Sequence, residues 1–157
     1  VLTEEQINTI ALLSDEVLYR EAVAFMRQLL EEEDCEPLPM SQIQGLHAIS
    51  LSLSYQELRR FVAHQNERNW PRDKENIKVF YKKLKEYMES MQKKRLKNEF
   101  HLLSDQGGPR QVIAQTEELM ALLMAEFIQH LAAENSYLLA VQKQQSRQKK
   151  ASSSRSK

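Results

Sequence analysis

The densest polar cluster in this chain is His64-Gln65-Asn66-Glu67-Arg68. His64 and Arg68 stand one helical turn apart and share a face. A His beside a Glu is raw material for acid–base chemistry. An Arg one turn along suits a phosphate. No nucleophile or oxyanion donor accompanies the cluster, so covalent chemistry has no carrier. Cys35 is the single cysteine and sits in the run Glu31-Glu-Glu-Asp-Cys-Glu36, where neighbouring carboxylates disfavour the thiolate. That run is also a poor cation site, because adjacent carboxylates point apart and no glycine-centred calcium loop is present. His47, His64, His101 and His130 fall on different predicted elements without ligand spacing. There is no HExxH, no CxxC and no Walker Gly-Lys-Ser/Thr, and Gly107-Gly108 is too short to cradle a phosphate. The expectation is a non-enzyme with no catalytic residue, no metal and no cofactor.

What remains is charge. Between Ser41 and Leu103 thirteen bases face seven acids, a net +6. Arg59, Arg60, Arg68, Arg72 and the lysines at 74, 78, 82, 83 and 85 form a strip suited to nucleic-acid phosphates. Trp70, His64 or Tyr81 lies near enough to stack on a base. The candidate nucleic-acid-binding residues are Arg59, Arg60, His64, Arg68, Trp70, Arg72 and Lys78. The competing reading is a solvated helix face laced by pairs such as Lys82–Glu86 and Lys85–Glu89.

The elements that must position these residues are helical. Ser54-Tyr-Gln-Glu57 is a capping box, and Leu58, Phe61, Val62 and Gln65 follow at helical spacing. Pro71 ends that helix, and Asp73 is the expected N-cap of the next. Ile77, Phe80, Leu84, Tyr87 and Met91 step by three and four, widened by Tyr81 and Met88. Lys93, Lys94, Arg95 and Lys97 continue the positive side. Upstream, Thr3-Glu-Glu-Gln6 is a second capping box before a long amphipathic run that ends near Leu30. Ser14-Asp15 either divides that run or passes as its polar face. Ser41 is the expected cap of a short helix carrying Ile43, Leu46 and Ile49, with Gln44 completing a third box. Gly45 within it either marks a close helix crossing or simply costs stability. Ser50 to Ser54 alternates like a strand but is short and partnerless, so it is a connector. After the break at Gly107-Gly108-Pro109, the run from Val112 to Leu138 is apolar over more of its circumference than the other helices. It is either the central helix or an interface.

Composition agrees. The 157 residues fit one domain, with three glycines, four prolines and 41% hydrophobic residues. Net charge is 0 but uneven. Residues 1–40 carry ten acids and two bases, 104–142 five acids and one base, and 143–157 six bases. The expected architecture is an all-α, single-domain bundle of about five to six helices over residues 1–141. A disordered basic tail follows over 142–157. No apolar run approaches a membrane span, so no membrane partner is expected. A single cysteine and the lack of a basic-then-apolar leader predict a cytoplasmic protein.

Two stretches carry a family resemblance. Leu38-Pro-Met-Ser-Gln-Ile43 resembles the Thr-Ser-Gln-Ile-Arg helix start of the small all-helical subunit of type III CRISPR effector complexes. Phe61-Val-Ala-His-Gln-Asn-Glu-Arg68 resembles a later helix of that family, and Phe127 to Ala133 its closing helix. Gln44 stands where that family has its first Arg, so that contact has no carrier. The resemblance implies a non-catalytic ribonucleoprotein subunit of antiviral defence. Copies would line a filament beside guide and target RNA, with Arg68 at the backbone. Other protein subunits or self-association are then the expected protein partners. The alternative is a helical DNA-binding regulator, with residues 41–69 as helix-turn-helix and Tyr55, Gln56, Arg59 and Arg60 facing out, or a homo-oligomeric interaction bundle.

Overall fold

The computed structural model describes residues 2–104 and 107–155. The fold is all-α, with no strand among the described residues. Its axis is the last helix, which we label α6 (Pro109–Arg155). Pro109 opens it where a missing N–H costs nothing. Gly107 just before has φ +115°, and a side chain there would run into Gln111. From Leu119 to Leu131 the buried residues Leu119, Met120, Leu123, Met124, Phe127 and Ile128 point in several directions. Such a helix must be covered on several sides. Two segments that precede it in the chain, Tyr19–Glu31 and Met40–Ser50, supply most of the cover, and Tyr55–Glu67 adds more.

The first rod comprises α1 (Glu4–Leu13), a π-helical turn (Ser14–Leu18) and α2 (Tyr19–Glu31). Its capping box is complete: Gln6 N–H donates to Thr3 Oγ1 at 3.1 Å, and Thr3 N–H donates to Gln6 Oε1 at 2.9 Å. Ser14 neither breaks the rod nor faces water. It is buried in the π turn, where the widened i→i+5 spacing turns it toward α6. Ala22, Phe25, Met26 and Leu29 form the buried seam of α2.

The acidic run lies at the end of α2 and in the loop beyond. Asp34 takes φ +53°, and Cys35 N–H donates to Leu29 O at 2.9 Å. Burial, then Glu33 and Asp34, push the Cys35 thiol above its ordinary pKa. The loop is fixed to α6 by Asn135, which is fully buried. Its Oδ1 accepts from Leu38 N–H at 2.8 Å and its Nδ2 donates to Leu38 O at 2.9 Å. Such a two-way bond leaves neither backbone group orphaned.

Two caps differ from expectation. α3 (Met40–Ser50) starts one residue before Ser41, with Pro39 at the cap position and no side-chain bond. Pro39 cannot donate a backbone N–H and its fixed φ leads into the helix. Asp73 is not a cap either. It lies inside a 3₁₀ turn (Arg72–Lys74) that precedes α5 (Glu75–Ser90). α4 (Tyr55–Glu67) keeps half its box: Ser54 Oγ accepts from Glu57 N–H at 3.3 Å, while the Glu57 carboxylate turns to Arg60.

α5 runs on into a π-helical stretch (Met91–Glu99). Met91 and Leu96, five residues apart, are both buried there. This phase shift turns Arg95 inward, away from Lys93 and Lys94. Its guanidinium grips Glu21 with two bonds of 2.7 and 2.6 Å, and Tyr87 Oη donates to the same carboxylate at 2.7 Å. Burial opposes the Arg95 charge, but its bonds to Glu21 and Glu99 outweigh that and raise its pKa. Aromatic rings join α2, α5 and α6: Phe25 meets Phe80 and Phe127 edge-on, and Tyr87 stacks on Phe127 at 3.9 Å.

Burial ends near residue 141. The basic segment after it continues the helical hydrogen bonding through Arg155, yet Gln142 to Ser154 are exposed throughout. Local bonds alone hold that extension, which is a marginal arrangement in water.

Two outcomes are expected. Nothing lies within 4 Å of a Cβ built on Gly45, so no close crossing needs the glycine. Gly45→Ala should therefore raise the unfolding free energy by roughly 0.5–1 kcal/mol in urea denaturation. Burial pushes Tyr55 up to about 12 and raises Tyr81 and Tyr87 as well. The unfolded chain ionises its tyrosines near pH ~10. Above that the folded state holds more protons, so this stability is present below pH ~10 and falls as pH rises. Tyrosinate absorbance from these three should appear together with loss of helix, not before it.

Candidate nucleic-acid interface

α4 and α5 form an antiparallel pair. Tyr55 Oη, at the start of α4, donates to Gln92 Oε1 at 3.0 Å, and Trp70, beyond the end of α4, lies beside Val79. Two grooves follow one another along this pair. The first, about 730 Å³, has Arg59 and Arg60 on the α4 side and Lys85, Glu89 and Lys93 on the other. Its floor includes Val62 and Met88. The second, about 440 Å³, lies between Asn66, Asn69 and Trp70 on one side and Glu75, Lys78 and Lys82 on the other. Residues 78, 82, 85 and 89 of α5 and 93 of the π-helical stretch that continues it advance by three or four, so both grooves lie on one side of that rod. The stripe is roughly 20 Å long.

The grooves carry six basic side chains against two acidic ones. The pairs Lys82–Glu86 and Lys85–Glu89 do not close among the described residues. Arg60 does pair with Glu57 at 3.2 Å, but the Arg60 side chain is 74% exposed, so the pair is weak. Arg59 lies 5.7 Å over the Tyr55 ring. Tyr55 is buried beneath it, and its hydroxyl is taken up by Gln92.

Of the residues expected from sequence, Arg59, Arg60, Trp70 and Lys78 line the grooves. His64 and Arg72 are exposed but outside the walls. Arg68 also lies outside, and its guanidinium sits 4.4 Å over the Trp70 ring. Trp70 Nε1–H donates to Gln65 O at 2.8 Å. That bond occupies one of the carbonyls a helix end leaves unpaired. It helps stop α4 at Glu67, four residues before Pro71, where the proline alone would have placed the end. The indole is therefore held on one edge and covered by Arg68. Tyr81 is fully buried and stacks on no ligand. Tyr55 is buried as well, which removes it from the outward face a helix-turn-helix reader would need.

Lys82, Lys85 and Lys93 complete the site and were legible only as members of a general lysine run. Their signal is the three-and-four stepping from Lys78. Lys83 and Arg95 belong to the same run but are turned away: Lys83 meets Glu33 at 3.6 Å and Arg95 grips Glu21.

One polar cluster is invisible in the sequence. Ser14 Oγ donates to Glu126 Oε2 at 2.7 Å and lies 2.9 Å from His130 Nε2. These are serine-hydrolase residue types, but the connections differ. With its one proton given to Glu126, Ser14 accepts from His130, so the imidazole nitrogen facing it is a donor and not a base. The cluster satisfies a buried hydroxyl between the π turn and α6. Among the described residues no group of three His, Cys, Asp or Glu is placed to hold a metal, and no helix is long and apolar enough to cross a membrane.

Structural and groove cations should separate by mutation. Arg95→Ala strands a half-buried Glu21 and should cost about 2–3 kcal/mol in urea denaturation. Lys85→Gln should change stability by less than ~0.5 kcal/mol.

Comparison of the chain with protein-family models, with curated proteins and with solved structures finds no match.

Proposed function

We propose that this protein is a non-catalytic RNA-binding subunit that works in the cytoplasm and grips backbone phosphates along the α4–α5 grooves. The observation that carries the reading is six basic side chains against two acidic ones along the two grooves: Lys85 and Lys93 opposite Arg59 and Arg60 in the first, and Lys78 and Lys82 in the second. Six cations within roughly 20 Å are more than local pairing uses. A chain of phosphates is the ligand that repeats negative charge at such spacing. The likeness of residues 38–43 and 61–68 to the small subunit of type III CRISPR complexes favours RNA over other polyanions. The same likeness supports a place in a ribonucleoprotein in which copies stand side by side on guide and target strands.

The test is anisotropy with a labelled 20-nucleotide RNA at several salt concentrations. Binding should be independent of sequence, with a log–log salt slope of about −3 to −4 for four to six neutralised phosphates. The double variant Lys78→Gln/Lys85→Gln should flatten the slope by about 1.4 while leaving the fold intact. A slope untouched by that variant contradicts the reading. A preference for one DNA sequence supports the regulator instead. Absence of nucleic-acid binding, with mass rising on concentration, supports the homo-oligomeric bundle.

A further inference from the structure

The second groove differs from the first in what lines it. The first has two arginines, two lysines and an apolar floor. The second has an indole, two carboxamides and two lysines in about 440 Å³, within the ~300–1,000 Å³ of small-ligand sites. Phosphates need the lysines but have no use for an indole wall. A nucleobase does, because its π face stacks on aromatic rings and its edge hydrogen-bonds to carboxamides.

The indole is already placed. Its N–H donates to Gln65 O at 2.8 Å, which sets the plane of the ring. Arg68 lies 4.4 Å over the ring and is not among the residues that line the groove, whereas Trp70 is. Asn66 and Asn69 stand beside it on the α4 side, and Lys78 and Lys82 stand opposite, one helical turn apart.

We propose that this groove is a base-binding subsite of single-stranded RNA. One unpaired base enters against Trp70 and the amides of Asn66 and Asn69 meet its edge. Lys78 and Lys82 hold the phosphates on either side. Arg68 is then a positioning residue for the indole, not a phosphate ligand. A duplex cannot use the subsite, because its bases are stacked and paired. The inference rests on the phosphate-gripping reading and adds to it the strandedness of the ligand.

Trp70 is the sole tryptophan, so its fluorescence reports on this groove alone. The full chain is titrated with a twelve-residue oligouridylate, with an abasic ribose-phosphate chain of the same length, and with a twelve-base-pair RNA duplex. Affinities are read by anisotropy in parallel. The oligouridylate should quench Trp70 and bind about tenfold tighter than the abasic chain. The abasic chain and the duplex should bind without quenching. Asn69→Ala, at an exposed position, should weaken the oligouridylate several-fold and leave the abasic chain unchanged. Equal affinity for the oligouridylate and the abasic chain overturns the subsite, whatever the quenching, and leaves phosphate gripping standing. Failure of all three to bind overturns both.

Discussion

Between Leu119 and Leu131, α6 presents apolar side chains in too many directions for a single neighbour to cover. Each buried Leu, Met or Phe there is worth roughly 1.5–3 kcal/mol relative to exposure. That requirement draws α2, α3 and α4 around one axis. α5 is then held against α2 and α6 through Phe25, Phe80, Tyr87 and Phe127. The polar contacts reinforce this order and do not create it. Asn135 fixes the loop at Leu38, Ser14 is satisfied by Glu126 and His130, and Arg95 joins the end of the α5 rod to α2. The α4–α5 pair stands with one side in the core and the other open. The grooves are the consequence of that open side.

The cations divide by what they face. Lys83 and Arg95 are turned to Glu33 and Glu21, and their removal is a matter of stability. Arg59, Arg60, Lys78, Lys82, Lys85 and Lys93 line the grooves, where only two acids accompany them. Positive charge held close with few acids beside it raises the energy of the free protein slightly and lowers it when a polyanion arrives. The same sequence run thus contains residues that hold the body together and residues that line the grooves. Helical phase decides which is which.

Much of this was legible from residue spacing. The all-helical class, the Thr3 box and the α5 seam follow from periods of three and four, and those periods are what burial selects; the breadth of the apolar face on α6 left open whether it was the central helix or an interface. The misses share a cause. Ser14 and Arg95 were read on a 3.6-residue lattice, and both lie in π-helical segments where the lattice slips. Ser41 and Asp73 look like caps by residue type. Pro39 and a 3₁₀ turn displaced them, and neither substitution leaves a pattern in the text. Of the candidate residues, Arg59, Arg60, Trp70 and Lys78, which stand out by charge and aromaticity, line the grooves, and His64, Arg68 and Arg72 do not. Lys82, Lys85 and Lys93 needed the antiparallel pairing of α4 and α5, a long-range fact. Arg68 was chosen for its place in a cluster, and only coordinates reveal that it lies on Trp70.

The acidic first rod, the basic α4–α5 face and the exposed basic extension of α6 give the molecule three electrostatically distinct regions. The central claim is that one of them, the α4–α5 face, is the ligand surface. Backbone amide chemical-shift mapping tests it directly. On addition of a short RNA, the shifted amides should trace residues 56–70 of α4 and its following turn, and residues 75–93 of α5 and the start of the π-helical stretch after it, leaving α1 and α2 unmoved. Shifts confined to the extension after residue 142, or scattered over α1 and α2, would contradict the account.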